Sequence, residues 1–326
     1  MLARTAPLVI ALTSAALVLC SVACSDASDR GALEGSDKPS QAGPAPGGGA
    51  ATFEGTGGGT TSTKSGASCE KMDILFVVDN SGSMGEEQSN LATNFALVTG
   101  RLDAYTTGSG GKLDYRIAVT TTGRSYTDVL PIPLPISIGG EKGDDGAFRR
   151  GCGLKGAWIE KGDADRSKEL SCAANVGTDG PGLEMPLDAL RLAVTERETD
   201  GKNAGFLRSD ALLAVVIITD EDDCSHVTDK VKDACNANDL KPLSTFLSTL
   251  DQVKGGRERW AAAVIAGETT CNSTFGTADE AKRLKDFVSQ TGKNAIFRSI
   301  CQGDLVKPLE DALNVFGDAC QHFSVK

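Results

Sequence analysis

The stretch Ile74-Leu-Phe-Val-Val-Asp-Asn-Ser-Gly-Ser83 joins an apolar run of strand length to a polar turn. Runs of this kind that end in Asp, Asn, Ser and Gly are typical of a β-strand followed by a loop. A helix-type repeat follows, with Leu91, Phe95, Val98 and Leu102 three or four residues apart. The stretch therefore predicts a buried strand, a polar loop and a helix, in that order.

Apolar runs of strand length recur along the chain and alternate with helix-type repeats. The longest, LLAVVIIT at residues 212–219, is typical of the middle of a parallel sheet that is covered on both faces. We expect strands at residues 73–79, 115–121, 212–219, 260–267 and 294–300, and helices around residues 91–102, 183–194, 243–250, 281–288 and 305–316. The alternation predicts an α/β fold with a doubly wound, mostly parallel sheet and helices on both faces.

Two stretches interrupt this pattern. Residues 123–176 contain three closely spaced prolines, many glycines and little periodicity, so we predict a long insertion with a short edge strand near residues 157–160. Residues 25–67 are rich in Gly, Ser, Ala, Thr and Pro, which indicates a flexible tether. The folded domain is therefore expected over residues 68–322.

The N-terminus has the pattern of an export signal. Arg4 precedes an apolar run at residues 7–23, and Ala23 stands directly before Cys24. This end of the run resembles the bacterial lipobox, which implies a lipoprotein anchored to an envelope membrane through Cys24, with residues 1–24 as the signal. Cys20 is a second candidate for the lipid. The alternatives are ordinary secretion of a soluble protein and an uncleaved membrane helix, for which the run is short.

Eight of the ten cysteines lie in the predicted domain, and an even number in an exported chain indicates disulfides. Eight cysteines allow 105 pairings. Loop closure and position favour Cys224 with Cys235, Cys271 with Cys301, Cys152 with Cys172, and Cys69 with Cys320. There is no C-x-x-C pair and the chain has two histidines, so the sequence does not predict a structural zinc site.

The charge of the chain limits its partners. The formal net charge is -11, and without the signal 32 basic residues stand against 44 acidic ones. Nucleic acid and anionic lipid headgroups are therefore poor partners, and membrane contact is expected through an N-terminal lipid only.

Three loops at the predicted carboxyl edge of the sheet carry oxygen ligands. Asp79, Ser81 and Ser83 form a D-x-S-x-S turn after the first strand, and Asp220 follows the longest apolar run. Thr178 adds a hydroxyl just before a helix. Hard oxygen donors at this edge, where open α/β sheets bind ligands, suit Mg²⁺. D-x-S-x-S alone is also an ordinary turn sequence, and it is the combination that favours a cation.

This combination resembles the metal-ion-dependent adhesion site (MIDAS) of von Willebrand factor A (vWA) domains. The resemblance covers residues 69–320 and implies a six-stranded, mostly parallel sheet with one antiparallel edge strand. It also implies one divalent cation, Mg²⁺ or else Mn²⁺ or Ca²⁺. The residues that would surround this cation are Asp79, Ser81, Ser83, Thr178 and Asp220.

The resemblance implies a binding function. Two carboxylates offset a divalent cation formally, and the cation then attracts one more anionic oxygen, such as an Asp or Glu carboxylate of a protein partner. We therefore predict an adhesion or scaffold protein and not an enzyme. The alternative is a structural envelope protein of the same fold whose contacts do not depend on the metal.

The sequence departs from the usual vWA pattern after Asp220. Glu221, Asp222 and Asp223 follow, and then Cys224, where a glycine is common in the family. This acidic run is interpreted as a solvated loop held by Cys224 and Cys235. The alternatives are a second cation site, for example for Ca²⁺, and a group that repels acidic ligands.

Some enzyme classes have local motifs similar to those of this chain, but the sequence lacks the other residues that these classes require. A Ser-His-Asp hydrolase needs a positioned histidine, but His226 and His322 stand outside the Gly-rich surroundings typical of subtilisin-like enzymes. An aspartic protease needs two D-T/S-G turns, and a dinucleotide-binding domain needs G-x-G-x-x-G after its first strand. Neither pattern is present.

Overall fold

The computed structural model describes residues 69–133, 136–273 and 276–324. The predicted signal with Cys20 and Cys24 and the predicted tether at residues 25–67 lie outside the described residues. Within those residues, no helix is long and apolar enough to cross a membrane.

Strands and helices alternate along the described chain. The strands are β1 (Lys71–Val78), β2 (Asp114–Thr121), β3 (Thr127–Asp128), β4 (Ile159–Glu160), β5 (Leu212–Ile218), β6 (Lys230–Val231), β7 (Trp260–Ala266), β8 (Cys271–Ser273), β9 (Gly276–Ala278) and β10 (Ala295–Ser299). The helices are α1 (Gly85–Ala104), α2 (Arg166–Ala174), α3 (Pro186–Ala193), α4 (Glu196–Thr199), α5 (Leu243–Lys254), α6 (Lys282–Thr291) and α7 (Val306–Gln321). The five predicted core strands agree with β1, β2, β5, β7 and β10 to within two residues at each end.

The central sheet of the described chain has six strands in the order β10-β7-β5-β1-β2-β4. All neighbours pair in parallel except β4, which pairs with β2 in the antiparallel sense. β4 is the edge strand expected near residues 157–160. The architecture implied by the sequence, a mostly parallel six-stranded sheet with one antiparallel edge strand, is therefore confirmed.

Side chains of the central strands pack alternately into two cores. Along β1, Ile74 and Phe76 face one core, to which α1, α2 and α7 contribute. Leu75 and Val77 face the other, to which α3, α5 and α6 contribute. Every residue of β5 is buried, as expected of a strand covered on both faces. Helices therefore cover both faces, and the polar loops emerge at the edges.

Part of the predicted insertion is more regular than its sequence suggests. Residues 166–174 form α2, which the sequence does not predict, because Leu170 is its one large apolar residue and no repeat is visible. Leu170 is buried in the core shared with α1, and the Cys152–Cys172 disulfide joins the helix to the preceding loop. Tertiary packing therefore stabilises a helix that has little amphipathic pattern of its own.

The eight cysteines of the described chain form four disulfides. These are the pairs that loop closure favours: Cys69–Cys320, Cys152–Cys172, Cys224–Cys235 and Cys271–Cys301. The Cys69–Cys320 bond joins the two ends of the domain, and Cys69 N also donates to the carbonyl oxygen of Cys320 at 2.9 Å. The Cys271–Cys301 bond holds the β8–β9 hairpin to the loop after β10.

Candidate metal site at the carboxyl edge of the sheet

Asp79 lies where β1, β2 and β5 end together. It is buried, and its backbone N donates to the carbonyl oxygen of Ile218 at 2.9 Å. Its Oδ1 accepts from the backbone N of Ser81 at 2.8 Å and from Thr122 Oγ1 at 3.3 Å, while its Oδ2 accepts from Thr219 Oγ1 at 2.5 Å. Hydrogen bonds from three chain segments therefore fix the orientation of this carboxylate.

The two serines of the turn lie between the two predicted aspartates. Ser81 Oγ and Ser83 Oγ are 3.0 Å apart, and Ser83 hydrogen-bonds to the side chain of Asp220. Asp220 is 2% exposed, yet its Oδ1 is buried without a hydrogen-bond partner. The structure thus brings Asp79, Ser81, Ser83 and Asp220 together.

Thr178 is placed differently from the other four predicted residues. Its loop does reach the D-x-S-x-S turn, because Gly180 N donates to the carbonyl oxygen of Asn80 at 2.7 Å. A Cβ at Gly180 would lie 2.3 Å from Asn80 Cγ, so a larger residue at this position would displace the Asn80 side chain. Thr178 itself is exposed. The predicted contact between its hydroxyl and the cation stays a prediction.

Thr122, Thr219 and Gln88 also hydrogen-bond to Asp79, and the sequence did not lead us to assign these three residues to the site. Thr122 directly follows β2, and Gln88 Nε2 donates to the carbonyl oxygen of Asp79 at 2.7 Å. A polar residue directly after a buried strand is the signal that would have identified Thr122. Gln88 carries no such signal, because α1 brings it to the loop through three-dimensional packing.

The site is strongly acidic and lacks basic partners. Among the described residues, no Lys or Arg forms an ion pair with Asp79, Asp220 or Glu184. Burial and the charge of Asp79 raise the pKa of Asp220 to about 7, and burial also raises the pKa of Asp79. Burial and the carboxyl of Glu221 raise the pKa of Glu184 to about 10. A bound hard cation would offset the free-energy cost of burying these charged carboxylates.

The donor set fits a small oxygen-bound cation better than a soft one. Within the described residues, no group of three or more His, Cys, Asp or Glu side chains is arranged to hold a metal ion. The candidate site has two carboxylates and two hydroxyls, and oxygen ligands of these kinds, completed by water, are ones that Mg²⁺ and Mn²⁺ accept. Asp220 Oδ1, which has no hydrogen-bond partner, is available to bind such a cation.

The acidic run after Asp220 is not the solvated loop that the sequence suggested. Asp222 accepts from the backbone N of Arg283 and Leu284 at 2.8 and 3.1 Å, at the start of α6. Asp223 is fully buried, forms an ion pair with Arg283 at 2.8 Å, and accepts from Leu187 N at 3.0 Å. The interpretation was wrong for these two residues because tertiary contacts supply their partners.

The raised pKa of Asp220 makes the metal-free protein sensitive to pH. The folded state retains the Asp220 proton up to about pH 7, whereas the unfolded chain releases it near the ordinary value of 3.8, so stability falls as pH rises between these values. About three pKa units correspond to at most about 4 kcal/mol, and screening by the open cleft lowers the expected loss to about 2 kcal/mol. Asp220→Asn removes this loss.

Urea unfolding with chelator at pH 4.5 and pH 8 measures this effect. Between pH 4.5 and pH 8, we expect the free energy of unfolding of Asp220→Asn to rise by about 2 kcal/mol relative to that of the parent protein. An equal stability difference between the two proteins at both pH values would show that Asp220 ionises normally in the folded state.

No family model matches this chain, and no curated protein matches it. Solved structures resemble it at low identity. Proximal thread matrix protein 1 from the mussel byssus is 15% identical with a TM-score of 0.40, and the match covers 76% of this chain and 46% of that one. Another structure of that protein is described as having a zinc-occupied MIDAS motif. This chain thus spans less than half of the mussel protein.

Two further structures resemble the chain at a similarly low sequence identity. The pilus adhesin SpaC from Lactobacillus rhamnosus GG is 12% identical with a TM-score of 0.36, and the match covers 77% of this chain and 30% of that one. Manganese-loaded TRAP from Plasmodium vivax is 12% identical with a TM-score of 0.34, and the match covers 75% of this chain and 74% of that one. Because all these matches are distant, the function has to be argued from the residues of this chain.

Proposed function

We propose that this chain is an exported binding protein of the vWA type that captures a protein partner through a divalent cation. The observation that carries the proposal is the buried, unpartnered Oδ1 of Asp220 beside the Ser81 and Ser83 hydroxyls and the Asp79 carboxylate. A buried carboxylate without a cationic partner is costly, and it is tolerated where it binds a metal. The same four residues match the MIDAS motif, with Mg²⁺ as the expected ion.

A cleft beside these residues gives a partner access. Its volume is about 420 Å³, and it is lined by Ser83 and Asp220 on one side and by Asn272, Thr277 and Asp279 of the β8–β9 region on the other. When bound, the cation supplies an electrophilic centre for a carboxylate oxygen of an Asp or Glu of the partner. The cleft is wide enough for such a side chain, and its hairpin wall is held by the Cys271–Cys301 disulfide.

The proposal includes export and lipid attachment. Four disulfides in one domain support an oxidising compartment outside the cytoplasm. Attachment through Cys24 extends the proposal to residues outside the described part. The proposal is a binding role and not a catalytic one; His226 is buried, and its backbone pairs with Leu240.

Cation binding should appear as added stability of the full chain. A ligand that binds only the folded state stabilises it by about 2.7 kcal/mol when its concentration is 100 times its Kd. Thermal unfolding of chelator-treated protein should therefore shift to higher temperature as Mg²⁺ or Mn²⁺ is added, with K⁺ at equal ionic strength as the control. Identical unfolding curves in Mg²⁺ and K⁺ would count against a cation site.

A second candidate function, contact that does not depend on a metal, is favoured by one observation. Ile136 and Ile138 of the insertion are 50% and 62% exposed, and Val227 is 53% exposed. Ile136 and Ile138 are two residues apart in one loop, and exposed apolar side chains can contribute to a protein contact. The two candidates differ in their response to chelator: chelation abolishes partner binding through the cation and leaves binding through these apolar side chains unchanged.

A further inference from the structure

A second depression, between the start of α6 and the loop that the Cys224–Cys235 disulfide closes, adjoins the cleft beside the candidate cation site. Its volume is about 500 Å³, against about 420 Å³ for the cleft. Glu221 and Asp279 line both of them, so the cleft and the second depression meet at these two residues and form one groove. Asp279 N donates to the carbonyl oxygen of Asp220 at 2.8 Å, which fixes the backbone at this meeting point.

The walls of the second depression are held by backbone hydrogen bonds. One wall is the start of α6, where the backbone N of Arg283 and of Leu284 donate to the Asp222 carboxylate at 2.8 and 3.1 Å. The other wall is the segment before α5, where Lys241 N donates to the carbonyl oxygen of Ser225 at 2.8 Å. Both walls are thus attached to the segment that follows β5. A partner would therefore meet a depression whose walls are already in place.

The wall before α5 is largely apolar. Leu240 and Leu243, both half-buried, line it together with Ala237 and the Cys224–Cys235 disulfide. Apolar contacts beside charged groups suit a long side chain that is apolar along its stem and charged at its end, as Lys and Arg are. A short acidic side chain would gain little contact with this wall.

The charges around the second depression favour a cationic group. Five acidic and two basic residues line it, so its formal charge is -3. Both basic residues already lie beside acidic ones, because Arg283 pairs with Asp223 at 2.8 Å and Lys282 Nζ is 3.5 Å from Glu280. The positive charge within the second depression is therefore already engaged, and the excess is negative.

Three carboxylates of the second depression lack a basic partner. Asp279 and Asp286 are exposed and Glu221 is half-buried, and within the part of the chain that the structure describes no Lys or Arg forms an ion pair with them. A divalent cation at the candidate site would compensate Asp79 and Asp220 but not these three. Asp220, which is 2% exposed and has an Oδ1 without a hydrogen-bond partner, lines the other end of the same groove. The three carboxylates thus adjoin a buried one that lacks a ligand.

We propose that the second depression binds a Lys or Arg side chain of the partner whose carboxylate binds the cation. The aliphatic stem lies against Leu240 and Leu243, and the charged end reaches the carboxylates of Asp279 and Asp286. This inference rests on the proposed function, and it adds a basic residue to the acidic one that the partner must present.

The size of the groove sets the spacing of the two partner residues. Depressions of these volumes are about 10 Å across, and an extended chain rises about 3.3 Å per residue. An acidic and a basic residue about two or three positions apart in an extended segment can therefore occupy both ends.

Fluorescence anisotropy with two labelled peptides tests the proposal. The first is acetyl-Lys-Ser-Asp-Ser-Lys-amide, which carries Lys on both sides so that either chain direction is allowed, and in the second Gln replaces each Lys. With Mg²⁺ and about 0.15 M salt, we expect the full chain to bind the Lys peptide at least about fivefold more tightly than the Gln peptide, the scale of one or two exposed ion pairs.

Two double variants with the same change in net charge locate the preference. Asp279→Asn/Asp286→Asn should reduce it to less than about twofold, and both positions are exposed, so this variant is expected to fold as the parent does. Asp165→Asn/Asp318→Asn is the matched control, because these two aspartates are exposed and line neither the cleft nor the second depression. The control should keep the preference of the parent protein.

The outcomes separate this inference from the proposed function. If both peptides bind equally tightly in Mg²⁺, or if the two double variants lose the preference equally, the second depression is not a site for a basic residue, while Mg²⁺-dependent binding still supports the proposed function. If the preference persists in chelator with Asn in place of the peptide Asp, and Asp279→Asn/Asp286→Asn abolishes it, the basic site stands and the cation bridge fails. Binding of neither peptide in Mg²⁺ overturns both.

Discussion

Replacing Asp220 by Asn is expected to lower the affinity for Mg²⁺ and Mn²⁺ by at least about 100-fold, which corresponds to roughly 2.7 kcal/mol. The variant keeps the size and shape of the side chain but removes the charge of a predicted ligand whose Oδ1 has no hydrogen-bond partner. A neutral amide offers the cation a weaker oxygen and leaves Asp79 as the single charged ligand of the D-x-S-x-S site. Calorimetric titration of the chelator-treated full chain measures this loss.

The structure also supplies a matched control for Asp220→Asn. Asp279 lies in the same cleft and its backbone N donates to the carbonyl oxygen of Asp220 at 2.8 Å, but its side chain is exposed. Asp279→Asn makes the same chemical change nearby and should leave the affinity within about twofold, or roughly 0.4 kcal/mol. Equal affinities of Asp220→Asn and the parent protein would contradict the assignment of Asp220 as a ligand.

Asp79→Ala tests cation binding less directly than the position of Asp79 in the D-x-S-x-S motif suggests. The Asp79 carboxylate accepts hydrogen bonds from Ser81 N, Thr122 Oγ1 and Thr219 Oγ1, and alanine would leave these donors without an acceptor. Each buried donor left unpaired costs about 1–3 kcal/mol. Loss of cation binding in Asp79→Ala would therefore combine the loss of a ligand with damage to the loop.

Removing the Cys69–Cys320 disulfide is expected to cost about 5.5 kcal/mol, the largest loss from any one crosslink of the domain. The bond closes 251 residues, and the entropy that a crosslink removes from the unfolded chain grows with loop length. We suggest replacing both cysteines by Ala, because both are fully buried and Ser would bury an unpaired hydroxyl. Urea unfolding monitored by circular dichroism gives the free energy of unfolding.

The Cys224–Cys235 pair is the control for loop length. It closes 11 residues, and the same relation gives about 3 kcal/mol for its removal. We therefore expect the Cys69→Ala/Cys320→Ala variant to be less stable than the Cys224→Ala/Cys235→Ala variant by about 2.8 kcal/mol. Equal losses in the two double variants would show that residual structure in the unfolded chain, and not loop length, sets the contribution of each bond.

Much of the fold could be predicted because the strong signals are local. The aliphatic run at residues 212–219 predicts a central strand, and the structure buries all of β5. The alternation of strand runs and helical repeats predicts a mostly parallel sheet, which is confirmed. The helix at residues 166–174 was missed because Leu170 packs against α1 and Cys172 bonds to Cys152, and neither contact leaves a periodic pattern in the sequence.

The residues of the candidate site also divide into those that the local sequence predicts and those whose roles depend on distant contacts. Asp79, Ser81 and Ser83 could be located because one short turn holds them, and Asp220 because it ends a strand that the pattern places next to β1. The roles of Asp222 and Asp223 could not be predicted, since their partners lie about 60 residues further along the chain in α6. Sequence shows that a residue is acidic, but not whether a distant chain segment supplies its hydrogen-bond donors.

The sequence by itself determined which strands the candidate ligands follow. A carboxylate and two hydroxyls come after β1, and a second carboxylate comes after β5. These follow from local pattern, because a buried strand that ends in polar residues must present them at the edge of the sheet. The tertiary structure alone decided which carboxylates lack partners. Asp220 Oδ1 and both carboxylate oxygens of Glu184 are left without a hydrogen-bond partner, whereas Asp223 receives Arg283, because burial and pairing depend on contacts between segments far apart in the chain.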